Sequence, residues 1–409
     1  MKKLLIIGQV WPESKSSAAG WRMNQLIDSF IKSNYQIHFA CAAATSEFSD
    51  DLIEKGVLEY SIQLNNPNFD AFIKELSPDV VLFDRFVIEE MYGWRVAEQC
   101  PDAVRILDTE DLHFLRKARQ LSVNTGAQID VEALQSEDAV REITSMFRCD
   151  LTLIISDYEL DLLKNVFNVP ERLLVYLPFE SELINEAELL AKSDFESRAH
   201  FMFIGNFIHA PNFDAVLHLK KNIWNLIRSK LPNAELHIYG AYQSQKISQL
   251  HNKNEGFLIK GRANSATEVI SKARVMLAPL RFGAGIKGKL LEAMQCGTPS
   301  VTSKIGAEGM KGDLAWNGFV TEDVEEFASF AIQLYNDPEI WKESIKNGVK
   351  INNQRFAQSA PIDLFMQRLQ VCEANISQYR QLNFLGKMLL HNSMQSTKYF
   401  SRWIEEKNK

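Results

Sequence analysis

Short apolar runs punctuate the first 180 residues of the chain, and longer amphipathic stretches separate them. Leu4–Ile7, Ile37–Ala40, Val80–Phe83, Val104–Leu107, Leu151–Ile155 and Leu173–Leu177 consist largely of Val, Ile, Leu and Phe. Runs this short and this apolar predict strands buried on both faces of a sheet. Between them, Trp21–Ser33, Phe69–Glu75, Glu89–Gln99 and Tyr158–Phe167 repeat their apolar positions at helical spacing. Strands alternating with helices predict βαβ units and a parallel sheet covered on both sides.

The alternation breaks at Glu180–Arg198, a polar stretch with six acidic residues and no strand period. It reads as a linker or a solvated helix, and hence as a domain boundary. The pattern resumes with strand candidates Phe201–Ile204, Glu235–Tyr239, Phe257–Lys260, Val275–Pro279, Ser300–Thr302 and Gly318–Val320. Helical patterns at Phe213–Arg228, Ala266–Ser271, Lys289–Met294 and Glu325–Tyr335 separate them. The expectation is an α/β chain with one doubly wound unit over 1–180, a linker over 181–198 and a second unit over 199–370. Such sheets take ligands beyond the carboxyl ends of their strands, so a cleft between two facing units is the expected site. Residues 371–409 differ in character. Over Ile376–Lys409, six Lys/Arg against two Glu interleave with Tyr379, Phe384, Tyr399, Phe400 and Trp403. Two readings are open: a helix packed back on the first unit with its charges solvated, or a helix touching an anionic bilayer.

Composition narrows the class. At 409 residues, with 46% hydrophobic and 24% charged, two or three cored domains are expected. A net charge of −7 argues against a nucleic-acid partner. Cys41, Cys100, Cys149, Cys296 and Cys372 are odd in number, scattered and without a CxxC pair, which predicts a reducing cytoplasm and neither a disulfide framework nor a zinc ribbon. Leu4–Ile7 is too short for the core of a signal peptide, and no run approaches the ~18 apolar residues of a membrane span.

The chemistry concentrates in "RFGAGIKGKLLEAM", Arg281–Met294. It joins a predicted strand to a predicted helix, whose N-terminus offers free N–H groups and partial positive charge. Gly283, Gly285 and Gly288 allow close backbone approach, and Arg281, Lys287 and Lys289 add full charges. That is either a diphosphate cradle or a flexible turn with solvated lysines. Glu292, one turn into the helix, is either an acceptor for a ribose diol or a surface glutamate favoured by the helix dipole. In the first half, "DTEDLH" puts Asp108, Glu110, Asp111 and His113 just past a strand end, a favoured site position, although Asp111 also suits a helix N-cap. Asp84 and Arg85 stand at another strand end. Gly20 precedes the helical pattern that starts at Trp21.

The stretch "APLRFGAGIKGKLLEAMQCGTPSVTSKIGAEGM", Ala278–Met310, resembles the donor-site signature of retaining glycosyltransferases of the GT-B fold, the family 4 type or glycosyl transferases group 1. "FIGNFIHAPNFDAV" (203–216) resembles the opening of that group's C-terminal domain. "PDVVLFDRFVIEE" (78–90), "RILDTEDLHFLRKAR" (105–119) and "LIISDYELDLL" (153–163) resemble segments of its N-terminal domain. The resemblance implies two Rossmann-like domains around a cleft, an acceptor domain first and a nucleotide-sugar domain second, with residues 371–409 crossing back to the first. It implies a nucleoside-diphosphate sugar as co-substrate, with no other cofactor and no metal. The acceptor would be a glycan, lipid-linked or protein hydroxyl in cell-surface glycoconjugate assembly, met in the cytoplasm or in peripheral contact with the inner membrane.

The same resemblance assigns roles. Arg281 and Lys287 would neutralise the diphosphate, Glu292 would hold the ribose, and His113 or Glu110 would contact the donor sugar; these four other than Glu292 form the expected catalytic set. Gly20, Gly205, Gly283, Gly285, Ile286 and Lys289 join Glu292 on the donor side, and Asp84, Arg85 and Asp111 on the acceptor side. One departure stands out. The family's motif has another glutamate eight positions before Glu292, where this chain has Ala284. In the family that glutamate touches the donor sugar, so a catalytically inactive partner or stabilising subunit is the alternative reading.

Overall fold

The computed structural model describes residues 1–408 and contains two parallel sheets. The first comprises β1 (Lys2–Gly8), β2 (Tyr35–Cys41), β3 (Leu58–Ser61), β4 (Val80–Asp84), β5 (Val104–Asp108), β6 (Leu151–Ile154) and β7 (Leu174–Tyr176), in the order β3-β2-β1-β4-β5-β6-β7. The second comprises β8 (His200–Ile204), β9 (Leu236–Tyr239), β10 (Phe257–Gly261), β11 (Ala273–Ala278), β12 (Ser300–Thr302) and β13 (Gly318–Val320), in the order β10-β9-β8-β11-β12-β13. These are two doubly wound, Rossmann-like α/β layers. In each, the strand order reverses at the unit's first strand, β1 or β8. A crevice opens there at the carboxyl ends of β1 and β4, and of β8 and β11. The loops that follow those four strands carry most of the residues discussed below.

The apolar runs form strands because both sheet faces are covered. Leu4, Leu5, Ile6 and Ile7 of β1 are fully buried, their side chains alternating between two clusters on opposite faces. β3 carries no apolar run. It is an edge strand with Leu58 and Glu59 exposed, so no burial pattern marks it in the sequence. The helical stretch expected over Phe213–Arg228 begins earlier, at Ala210 with Pro211 in its first turn, and runs to Lys230 through a π-helical segment at Leu219–Ile223.

Within the acidic stretch after Phe179, Asn185 caps a short helix, Glu186–Lys192. Leu189 and Leu190 pack beside Phe195 against Trp341, Ile345 and Val349. The helix Ala360–Ala374 returns to the first unit, and Phe365, Leu369 and Cys372 enter the same cluster as Leu4, Ile6, Phe30 and Val80. The helix Phe384–Lys407 then lies on the helices Phe86–Gln99 and Glu137–Arg148. Much of the segment's positive charge is paired rather than solvated. Arg380 meets Asp150 at 2.7 Å, Lys398 pairs with Glu98, and Arg402 meets Asp70 at 2.9 Å. Phe384, Tyr399, Phe400 and Trp403 remain exposed on the outer face. No helix of the described residues is long and apolar enough to cross a membrane. All five cysteines are free.

Candidate functional site

In the second unit, the loop after β11 leads into the helix Gly288–Gln295, which no side chain caps among the described residues. Its N-terminus abuts that of the helix Ala18–Lys32: a Cβ at Gly288 would lie 3.0 Å from the Cβ of Ala18. Two helix starts meeting head to head concentrate partial positive charge. Lys289 adds an amine whose protonation a bound anion would favour. Its Nζ donates to Asn212 Oδ1 at 2.5 Å and lies 4.3 Å over the Phe203 ring. A Cβ at Gly205 would stand 2.6 Å from that Nζ, so any side chain after β8 would displace Lys289 and Asn212. Burial pulls the Lys289 ammonium from near 10.5 down to about 7, with Glu292 resisting. Burial likewise pushes the Glu292 carboxyl up to about 7 against the pull of Lys289.

Facing this, the first unit presents the ends of β4 and β5. Arg85 and Glu110 there adopt φ of +74° and +62°, rare for such residues and a mark of backbone strain near sites. Asp84 Oδ2 accepts from the Gln9 amide at 3.0 Å, while Arg85 donates to Gln9 Oε1 at 2.6 Å. Burial, and then the neighbouring Asp108 carboxylate, hold Glu110 well above the ordinary carboxyl range, with Arg85 and Arg22 opposing. Beneath them Arg22 and Asp108 form a buried ion pair at 2.9 Å. His113 sits 3.4 Å from Asp111 and edge-on to Phe86, and burial lowers it to about 4, so it is a neutral imidazole at pH 7. His209, from the second unit, faces the same group. Withdrawal from bulk water inside the cleft, against the pull of Asp111 and with Arg116, Lys289 and Arg85 nearby, takes it to about 4 as well.

The two units touch along this seam. Glu159 Oε1 accepts the amide of Leu112 at 3.0 Å from its own unit and that of Gly285 at 2.9 Å from the other. Arg119 donates to the Gly283 carbonyl at 2.8 Å and grips both carboxylate oxygens of Glu308 at 2.8 and 2.7 Å. Gly285 has φ of +63°, and a Cβ there would lie 3.0 Å from that of Asp111. Lys287 is buried against the seam, its Nζ on the Gly285 carbonyl at 2.8 Å. Burial draws it down to about 8, with Glu308 the strongest opposing charge. A second seam joins Tyr242 to Glu13 at 2.6 Å and Arg262 to Ser16 at 3.1 Å.

Lys287, Lys289, Glu292, Glu110, Asp111, His113, Asp84, Arg85 and Gly205 therefore lie where the strand and helix ends of the two units face each other, with Gly283, Gly285 and Ile286 at the seam. Arg281 does not join them. It pairs with Asp214, from which Nε is 2.9 Å, and lines a separate cavity of about 310 Å³ with His218, Thr321 and Phe327. Asn212 and Asp214 are two residues apart, roughly 200° around their helix, so Lys289 and Arg281 lie on opposite sides of it. Gly20 is turned inward; its amide serves the Ser17 hydroxyl at 3.0 Å, and Ser17 caps the helix. Asp111 does not cap the helix His113–Thr125. It bonds Arg116 at 2.8 Å, while Glu142 and Glu159 receive that helix's first amides. Asn212, His209, Arg22, Arg119 and Glu159 carry no sequence signal that spacing alone isolates, although the stretches quoted above contain four of them.

The arrangement suits an anion. Paired helix starts and Lys289 offer donors and charge in a site withdrawn from water, where both count for more. Among the described residues no group of three or more His, Cys, Asp or Glu is placed to hold a metal ion.

Residues 198–337 match the family model described as glycosyl transferases group 1, so the second unit carries that domain. The backbone is similar to S. aureus TarM, solved as a mutant in complex with fondaparinux, alpha-GlcNAc-glycerol and UDP: 10% identity over 90% of this chain and 99% of that one, TM-score 0.68. It is similar to Anabaena Alr3699/HepE with UDP and glucose, at 13% identity over 90% and 100% of the two chains, TM-score 0.65. It is also similar to the pneumococcal O-GlcNAc transferase GtfA with UDP and GlcNAc, at 12% identity over 90% and 98%, TM-score 0.65. No curated protein sequence matches the chain. At these identities the likeness is one of fold, and the fold is GT-B.

Proposed function

We propose that the protein is a retaining glycosyltransferase that moves a sugar from a nucleoside diphosphate to an acceptor hydroxyl in cell-surface glycan or glycoconjugate assembly. The observation that carries this reading is Lys289, a desolvated amine held by Asn212 at the uncapped start of the helix Gly288–Gln295, which abuts a second helix start, with Glu292 one turn further on. A leaving diphosphate would be neutralised by Lys289, Lys287 and the helix N-termini, which leaves no charge that a metal must supply. Glu292 would take the ribose diol. The strained strand ends, with Glu110, Asp111 and neutral His113, would meet the sugar and the acceptor. The work is electrostatic stabilisation of the leaving group and positioning of the acceptor oxygen. The UDP complexes of TarM, HepE and GtfA support a nucleotide donor. The outer face of the last helix, with Tyr399, Phe400 and Trp403, supports peripheral contact with the inner membrane.

The test is a thermal-shift panel of UDP-, GDP- and ADP-sugars, followed by product analysis for anomeric configuration. A donor at 100 times its Kd should stabilise by about 2.7 kcal/mol. Ala284 favours one second reading, a transferase-like subunit that stabilises a partner. That reading gains if calorimetry finds no affinity for any of these nucleotides, and the enzyme reading then fails.

A further inference from the structure

Ala284 is not simply a truncated glutamate. It packs, half-buried, against the hydrophobic cluster of the first unit. On either side of it the backbone is gripped from across the cleft, at the Gly283 carbonyl by Arg119 and at the Gly285 amide by Glu159. We propose that Glu159 and Arg119 are positioning residues for sugar transfer: from the acceptor-side unit they hold the Gly283–Gly285 turn in the shape that receives the donor diphosphate. This rests on the transferase reading above.

Three features argue that the grip is more than packing. Glu159 is fully buried, and desolvating a carboxylate is costly unless it is well paired. Yet one of its oxygens takes both amides, and the other, Oε2, has no partner. An apolar side chain could fill the seam but would leave both amides without that acceptor, so the carboxyl ties the turn to the first unit as packing alone would not. Next, the turn sets the place of Lys287, whose Nζ bonds the Gly285 carbonyl, and of the helix start at Gly288. A shift in the turn shifts both groups meant for the diphosphate. Finally, the Glu13–Tyr242 and Ser16–Arg262 contacts join the units elsewhere, so the grip is not needed merely to hold them together.

The test is calorimetric affinity for UDP, GDP and ADP, with melting temperature recorded in parallel, in Glu159→Leu, Glu159→Gln and Arg119→Met. Glutamine still accepts two amide protons; leucine accepts none. The expected result is at least tenfold weaker nucleotide binding in Glu159→Leu and Arg119→Met, with Glu159→Gln within threefold of the parent. If Glu159→Leu does not fold, Arg119→Met and Glu159→Gln carry the comparison. Unchanged affinity in Arg119→Met, or equal losses in Glu159→Leu and Glu159→Gln, overturns the positioning role while leaving the transferase reading intact. A parent protein that binds none of the three nucleotides overturns both.

Discussion

Replacing Lys289 with methionine should make the empty protein more stable and the enzyme worse. Burial holds the ammonium at about 7, against an ordinary value near 10.5. A lysine lowered on folding destabilises the fold, fully below pH 7 and not at all above 10.5, because between those values only the unfolded chain gains from protonation. At pH 7.5 that linkage amounts to about 4 kcal/mol against the folded state. Methionine removes it but forfeits the bond to Asn212 and the contact with Phe203, each worth about 1 kcal/mol. The net gain is about 2 kcal/mol, or a rise in melting temperature of roughly 4–8 °C for a unit of this size. Catalysis should move the other way. Loss of a preorganised charge at a developing oxyanion costs about 2.7–4 kcal/mol, a 100- to 1,000-fold drop in turnover. Scanning calorimetry without ligand from pH 6 to 10, with steady-state kinetics alongside, reads both. The stability gain should shrink as pH rises past 7. A variant that melts lower than the parent at pH 7.5, or that turns over normally, would refute the reasoning.

Other substitutions probe the same geometry. Gly205→Ala places a methyl against Lys289 and Asn212, and donor kcat/KM should fall at least tenfold with little change in urea midpoint. Arg281→Ala should lower kcat/KM far less than Lys289→Met does, because Asp214 already holds the guanidinium on the far side of its helix; an equal loss would mean that the arginine swings into the cleft on donor binding. Arg22→Met leaves Asp108 charged and buried, and urea titration should show a loss of about 3–5 kcal/mol.

The alternation of apolar runs made both sheets legible in the sequence, because strands buried on two faces are mostly apolar, and isolated polar positions such as His38 and Arg105 do not break the runs. The exposed edge strand Leu58–Ser61 shows the converse: without burial there was nothing to read. Within the site, glycine and lysine clustering marked the loop before Gly288. It did not separate Arg281 from Lys289, since both precede or begin one helix and only the helix starting at Ala210 comes between them. His209 and Asn212 were invisible for another reason. Their importance arises where the start of the helix after β8 meets a lysine 77 residues beyond Asn212, and no local pattern records that meeting. Of the two readings of Asp111, the N-cap does not hold, because Glu142 and Glu159 reach in from elsewhere to take the amides at that helix start.

The return of Phe365, Leu369 and Cys372 to the cluster around Leu4 and Ile6 bears on how the protein is made. On a ribosome adding about 5–20 residues per second, the first sheet is complete roughly 10–40 s before the helix that seals one of its faces is synthesised. During that interval an apolar sheet surface stands open in a crowded cell. The nascent first unit should therefore depend on chaperones, and the segment 1–180 expressed alone should aggregate unless the 360–407 piece is supplied with it.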